Sequence, residues 1–124
     1  MTNPTSSPPD IAARCREVVA AAEDLKANRL RILELSEISS LADYFLVCSG
    51  TSSRQVQAIS DEIDRRLRMA GLQPAHVEGY NHAEWILMDY MDFVVHIFAE
   101  KAREFYDLER LWRTSARVPV EGRT

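Results

Sequence analysis

The chain of 124 residues is 46% hydrophobic and 27% charged with a net charge of -4, which suits one globular domain and argues against an extended disordered chain. No run approaches the roughly 18 consecutive apolar residues of a membrane span, and Met1 to Pro9 has neither the basic start nor the apolar middle of a secretory signal, so a cytoplasmic protein with no membrane partner is expected. Cys15 and Cys48 are far apart and each lies inside an apolar pattern, which reads as buried free thiols, not a disulfide or a redox pair.

Pro4, Pro8 and Pro9 mark residues 1–9 as a disordered tip, and the folded domain is expected over 10–113. Asp10 can cap a first helix whose stripe of Ile11, Cys15, Val18, Ala22 and Leu25 has the spacing of one buried face and ends near Asn28. A strand over Leu30 to Leu35 follows, with Arg31 and Glu34 suggesting a sheet edge or a partly open face. The unbroken apolar run Tyr44 to Cys48 predicts a strand covered on both faces at the sheet centre. Ser52 and Gln55 have capping-box spacing ahead of a helix that buries Val56, Ile59, Ile63, Leu67 and Ala70 and stops at Gly71. Its other face carries the i, i+4 pairs Asp61 with Arg65, Glu62 with Arg66 and Asp64 with Arg68, read as a solvated surface.

Three strands then follow, over Pro74 to Gly79, Trp85 to Asp89 and Phe93 to Ala99, the last two joined by a turn short enough for an antiparallel hairpin. Phe105, Leu108, Leu111 and Trp112 share one face of a last helix, and 114–124 is a polar tail without periodicity. The order α-β-β-α-β-β-β-α, with a central strand-helix-strand passage implying a right-handed crossover, predicts an α/β fold: a single domain with a mixed sheet of roughly five strands and helices packed on it.

Charge is uneven along the chain. From His76 to Glu109, eight acids (Glu78, Glu84, Asp89, Asp92, Glu100, Glu104, Asp107, Glu109) face only Lys101 and Arg103. Phosphate binding depends on lysine and arginine displacing counterions, so this segment predicts little direct RNA contact and favours a basic protein surface.

Catalytic patterns are weak. The turn Gly50-Thr51-Ser52-Ser53 before a helix could bind an anion, but it lacks the lysine of a P-loop and the spacing of a dinucleotide fingerprint, and capping explains it. A similar turn opens nucleotidyltransferases, which need two or three carboxylates on following strands to hold metal ions; here the next strand offers only Glu78. His76, His82 and His96 have no zinc spacing, and no base and orienting acid accompany Ser49, Ser52 or Ser53. No catalytic residue, metal ligand or cofactor is assigned. Two aromatics point to a binding surface instead: Tyr106, about 100° off the last helix's stripe at 3.6 residues per turn, and Trp85, at the start of a strand after a polar stretch, for which packing in the core or at the sheet rim is an equal alternative.

Three segments, ADYFLVCSGTSSRQVQAISDEI at 42–63, EGYNHAEWILMDYMDFVVHIF at 78–98 and REFYDLERLW at 103–112, together resemble the Iojap-like ribosomal silencing factors over roughly residues 11–113. The resemblance implies a nucleotidyltransferase-like fold without its catalytic acids, and a homodimer that binds the large ribosomal subunit through its ribosomal protein fourteen. It also implies that subunit joining is blocked and translation is repressed when nutrients are scarce. The motif positions carried over as partner-binding are Glu78, Gly79, Trp85, Asp89, Tyr90 and His96 from the central segment, with Phe105, Tyr106, Leu108 and Trp112 from the last. Met91 departs from the family pattern, where a glycine is frequent, and bears on the shape of the Asp89 to Asp92 turn. The competing readings are a metal-dependent nucleotidyltransferase and a nucleotide-sensing module.

Overall fold

The computed structural model describes residues 11–35, 42–106 and 116–118, those at 104–106 and 116–118 by backbone alone. The elements are α1 (Ile11–Asp24), β1 (Asn28–Glu34), β2 (Tyr44–Gly50), α2 (Ser53–Met69), β3 (His76–Glu78), β4 (Trp85–Asp89), β5 (Phe93–Ala99), α3 (Glu100–Tyr106) and β6 (Ala116–Val118). They form an α/β domain around one mixed sheet in the order β3-β4-β5-β2-β1-β6. The central pair β2 and β5 is parallel, and every other pairing is antiparallel.

α1 is shorter than its apolar stripe suggested. It ends at Asp24 because Lys26 turns left-handed (φ 64°) and Ala27 N-H reaches back to the Ala22 carbonyl at 2.9 Å, a closure that satisfies a helix-end acceptor. Asp10, the expected cap, lies outside the described residues. β1 accordingly starts at Asn28, with Arg29 also at positive φ (55°) and an irregular register between Asn28 and Arg31 against β2.

α2 buries Val56, Ile59, Ile63 and Leu67 completely, as expected, but Ala70 is the exposed C-cap after Met69 and not part of the buried stripe. Each such side chain contributes about 1.5–3 kcal/mol, against about 0.2–0.5 kcal/mol for an exposed helical ion pair, so the apolar face decides where the helix lies. Ser52 Oγ accepts from Gln55 N-H at 3.1 Å, while Gln55 Oε1 accepts from Thr51 N-H at 2.7 Å, one residue earlier than a simple capping box would have it. Gln55 Nε2 also donates to the Leu25 and Lys26 carbonyls, tying the end of α1 to the start of α2. On the outer face Glu62 pairs with Arg66 and Asp64 with Arg68 as expected. Arg65 instead takes Glu62 at i+3, because Asp61 accepts the Tyr80 hydroxyl. Hydrogen bonds from Arg65 and Arg66 hold the Glu62 carboxyl at about 2.

β4 and β5 have the expected bounds, and β2 lies at the sheet centre. β2 and β3 run parallel but are not neighbours, since β5 and β4 lie between them. The sequence reading placed no element after Thr114, yet β6 pairs with β1 and makes a sixth strand. Three residues, Ala-Arg-Val, are too few to show alternation, and the strand is defined by the β1 edge it meets. Among the described residues the sheet's outer strands are β3 and β6, each three residues long, a length that limits pairing with another chain's edge.

The helix-covered side of the sheet holds the main core: Val18, Ala22, Leu46, Cys48, Ile59, Ile63, Ile86, Met88, Phe93, Val95 and Ile97 among others. Cys15 and Cys48 are buried free thiols, as expected, and burial pushes both up to about 12.

The β4-β5 turn shows what a glycine in place of Met91 would relieve. Tyr90 N-H bonds the Phe93 carbonyl at 2.9 Å, Asp92 N-H returns to the Tyr90 carbonyl at 2.9 Å, and Met91 between them has φ 77° with its side chain largely exposed. A left-handed non-glycine costs about 1–2 kcal/mol, partly offset by the greater unfolded-state freedom of glycine. Met91→Gly should therefore raise stability by about 0.5–1 kcal/mol in urea unfolding. A loss of stability would mean that the Met91 side chain packs to more effect than its exposure indicates.

Candidate functional site

Strand alternation divides the sheet residues between two faces. Opposite the α1/α2 core lie Arg31 and Leu33 of β1 with Leu35 just after it, Phe45, Val47 and Ser49 of β2, Val94, His96 and Phe98 of β5, Trp85, Leu87 and Asp89 of β4, and His76 and Glu78 of β3. Ala102 of α3 packs on this face, and the buried Arg103 donates to Ser49 Oγ at 2.9 Å and to the Arg29 carbonyl at 2.6 Å. Toward β4 and β3 the face opens: Phe45, Trp85, Leu87 and Asp89 are half-buried, and His76 and Glu78 are exposed.

Cross-strand register fixes the geometry. Glu78 stands opposite Leu87, which stands opposite His96; Trp85 stands opposite Phe98; His76 stands opposite Asp89. Trp85 stacks on Phe98 with ring centroids 5.1 Å apart, and its Nε1-H donates to His96 Nδ1 at 3.0 Å. The Phe45 ring meets the His96 ring edge-on at 4.4 Å. Burial holds His96 neutral, with its pKa lowered to about 4. The result is an aromatic floor at the middle of the sheet, flanked by the carboxylates of Glu78 and Asp89. Glu78 Oε2 accepts from His76 Nε2 at 2.6 Å, and Asp89 Oδ1 accepts from Met91 N-H at 2.8 Å.

The loop before β4 presents Trp85. Gly79 has φ 83°, and a Cβ there would stand 2.0 Å from the Trp85 carbonyl oxygen, so the residue has to be glycine both for its conformation and for the close approach. Gln57 Nε2 donates to the Tyr80 carbonyl at 2.9 Å and the Tyr80 hydroxyl bonds Asp61, which pins the loop to α2.

The structure thus brings Glu78, Trp85, Asp89 and His96 to one face, while Gly79 shapes the loop that leads into it. Tyr90 is not with them. It is 3% exposed, stacks on Phe93 at 5.1 Å and belongs to the α1/α2 core, where burial raises its pKa. The period-2 alternation from Trp85 onward carries that signal, since Ile86, Met88 and Tyr90 share one side. The side chains of Phe105 and Tyr106, and the whole of Leu108 and Trp112, lie outside the described residues. Phe45, Leu87 and Arg103 are members of the face that sequence reasoning missed; the alternation of their strands identifies the first two.

The helix-capping turn adjoins a cleft of about 540 Å³ lined by Thr51, Ser52, Ser53, Glu84 and Ala99–Ala102. Its Thr51 N-H and Ser52 hydroxyl are already engaged with Gln55, and Glu84 and Glu100 bring negative charge, so the arrangement works as a cap in preference to an anion cradle. Among the described residues no three acids, histidines or cysteines converge as metal ligands would.

A family model described as "Ribosomal silencing factor during starvation" matches residues 8–124. The chain belongs to the ribosomal silencing factor family. The ribosomal silencing factor RsfS of Halalkalibacterium halodurans is 41% identical over 104 residues, 84% of this chain and 89% of that protein. RsfS of Bacillus subtilis is 44% identical over 93 residues, 75% of this chain and 79% of the relative. A crystal structure of a protein from Chromobacterium violaceum has the same fold, with a TM-score of 0.81 and 32% identity over 91% of this chain and 97% of that one. Silencing factors regulate translation, so the acid-flanked aromatic face belongs to a regulator of the ribosome, and among its described residues no helix is long and apolar enough to cross a membrane.

Proposed function

We propose that the chain silences translation without catalysis, by docking on the large ribosomal subunit through ribosomal protein fourteen and occluding the surface on which the small subunit must land. The observation that carries this reading is the half-open sheet face, on which Trp85, Leu87 and Phe45 leave apolar surface partly exposed on the same side as Glu78 and Asp89. A half-exposed tryptophan beside other apolar side chains and a charged border is the arrangement of a protein-binding hot spot, and the acidic border suits a basic protein partner better than RNA. Arg103 strengthens that argument. It is one of only two basic side chains among eight acids from His76 to Glu109, and it is buried, so its guanidinium is not presented to a phosphate backbone. The described acids of α2 are also engaged locally, Asp61 with Tyr80, Glu62 with Arg65 and Arg66, and Asp64 with Arg68, which leaves them ill placed to hold catalytic metal ions.

The test is pelleting of the protein with purified large subunits, with neither nucleotide nor added nucleotide-binding factor. The wild-type chain should co-sediment, and Trp85→Ala should weaken binding by about thirtyfold or more, the equivalent of about 2 kcal/mol at an interface anchor. Unfolding measured on the same variant separates affinity from stability. Undiminished affinity per folded molecule would remove Trp85, and with it this face, from the interface.

A further inference from the structure

We propose that His96 is a positioning residue for Trp85: it holds the half-exposed indole in one orientation on the docking face and does so from beneath, without itself meeting the partner. The inference rests on the reading of that face as the docking surface. Trp85 Nε1-H can only donate, so the 3.0 Å bond to His96 Nδ1 requires Nδ1 to be an unprotonated acceptor and places the ring proton on Nε2. That tautomer follows from the donor and not from an assignment of hydrogens.

His96 is 3% exposed, too deep to be a contact in its own right. Its Nε2 is buried with no hydrogen-bond partner, a state that costs about 1–3 kcal/mol for a polar group. A phenylalanine or leucine would fill the same place between Phe45, Val47 and Phe98 without that cost. Packing alone therefore does not account for a histidine here. The Nδ1 acceptor does, because Trp85 begins its strand and has sheet neighbours on one side only along the chain. Stacking on Phe98 fixes the plane of the indole, and the bond to His96 fixes which way its N-H edge points. An aromatic anchor held in its bound orientation before docking loses less side-chain entropy on binding.

The test combines the indole N-H signal of Trp85, assigned by its disappearance in Trp85→Phe, with affinity for purified large subunits. His96→Asn keeps an acceptor near the Nδ1 position, His96→Gln moves the amide oxygen toward the Nε2 position, and His96→Leu keeps volume without an acceptor. Leu and Gln should speed exchange of the Trp85 indole proton with solvent at least tenfold and weaken affinity about tenfold, while Asn should recover most of both. In the Trp85→Phe background, which has no N-H to hold, His96→Leu should change affinity by less than twofold. If the leucine variant does not fold, the Asn and Gln variants decide the matter between them. An indole exchange rate indifferent to all three substitutions, or an equal affinity loss in both backgrounds, would overturn the positioning role. Normal exchange behaviour combined with full binding by Trp85→Ala would instead overturn the docking reading on which it rests.

Discussion

Gly79→Ala should destabilise the protein by about 2–4 kcal/mol, the range for a strained backbone position compounded by a steric clash. The added Cβ would stand 2.0 Å from the Trp85 carbonyl oxygen, a backbone atom that cannot turn aside as a side chain could. The loop from Gly79 to Glu84 would have to move, and Ala83, whose N-H bonds the Gly79 carbonyl at 2.9 Å, would move with it. Gly71 supplies the control. It has nearly the same φ, 87° against 83°, but nothing lies within 4 Å of its would-be Cβ. Gly71→Ala should cost only the left-handed strain, about 1 kcal/mol. Equal losses for the two variants in urea unfolding would show that the approach to Trp85 is easily relieved. Because Gly79 leads into Trp85, its variant should also lose large-subunit affinity, and the Gly71 variant should not.

Arg103→Ala should be the costliest substitution on the face opposite the α1/α2 core, at about 3–5 kcal/mol, the combined cost of a cavity where a large side chain was buried and of two acceptors left without their donor. The guanidinium is 1% exposed and joins α3 to the Arg29 carbonyl and the Ser49 hydroxyl, so truncation leaves a void and takes a donor from both acceptors. Arg103→Met keeps the stem and loses the donors, and should fall between the two, at about 1–3 kcal/mol. Urea unfolding of the pair checks this. A methionine variant as stable as the parent would show that the stem, and not its charge-assisted bonds, attaches α3 to the sheet.

The contrast between these two residues shows what the chain discloses before it folds. β4 and β5 were legible because Trp-Ile-Leu-Met and Phe-Val-Val-His-Ile-Phe-Ala are short, largely apolar runs separated by a turn, patterns that act within one element. The same holds for α2, whose four buried aliphatics are spaced on one face and bounded by Ser52 and Gly71. β6 was not legible, since it exists by pairing with β1. Gly79 and His96 stand in the family motif, yet the reasons for them, a carbonyl 2.0 Å away and an indole N-H at 3.0 Å, arise only when the loop and two strands meet. Arg103 looked like surface charge in an acidic segment, and only the contact of α3 with β1 and β2 shows it buried. Tyr90 was the opposite case. Its motif membership suggested a contact, while its place in the strand alternation put it in the core with Met88.

Occlusion of the large subunit acts on subunit joining. Free large and small subunits, mixed with and without saturating protein and separated on a density gradient, should give fewer joined ribosomes in its presence. Preformed ribosomes treated alike should respond less, because the surface to be occluded is already occupied, and Trp85→Ala should restore joining. Equal yields of joined ribosomes with and without saturating wild-type protein would contradict occlusion as the mechanism.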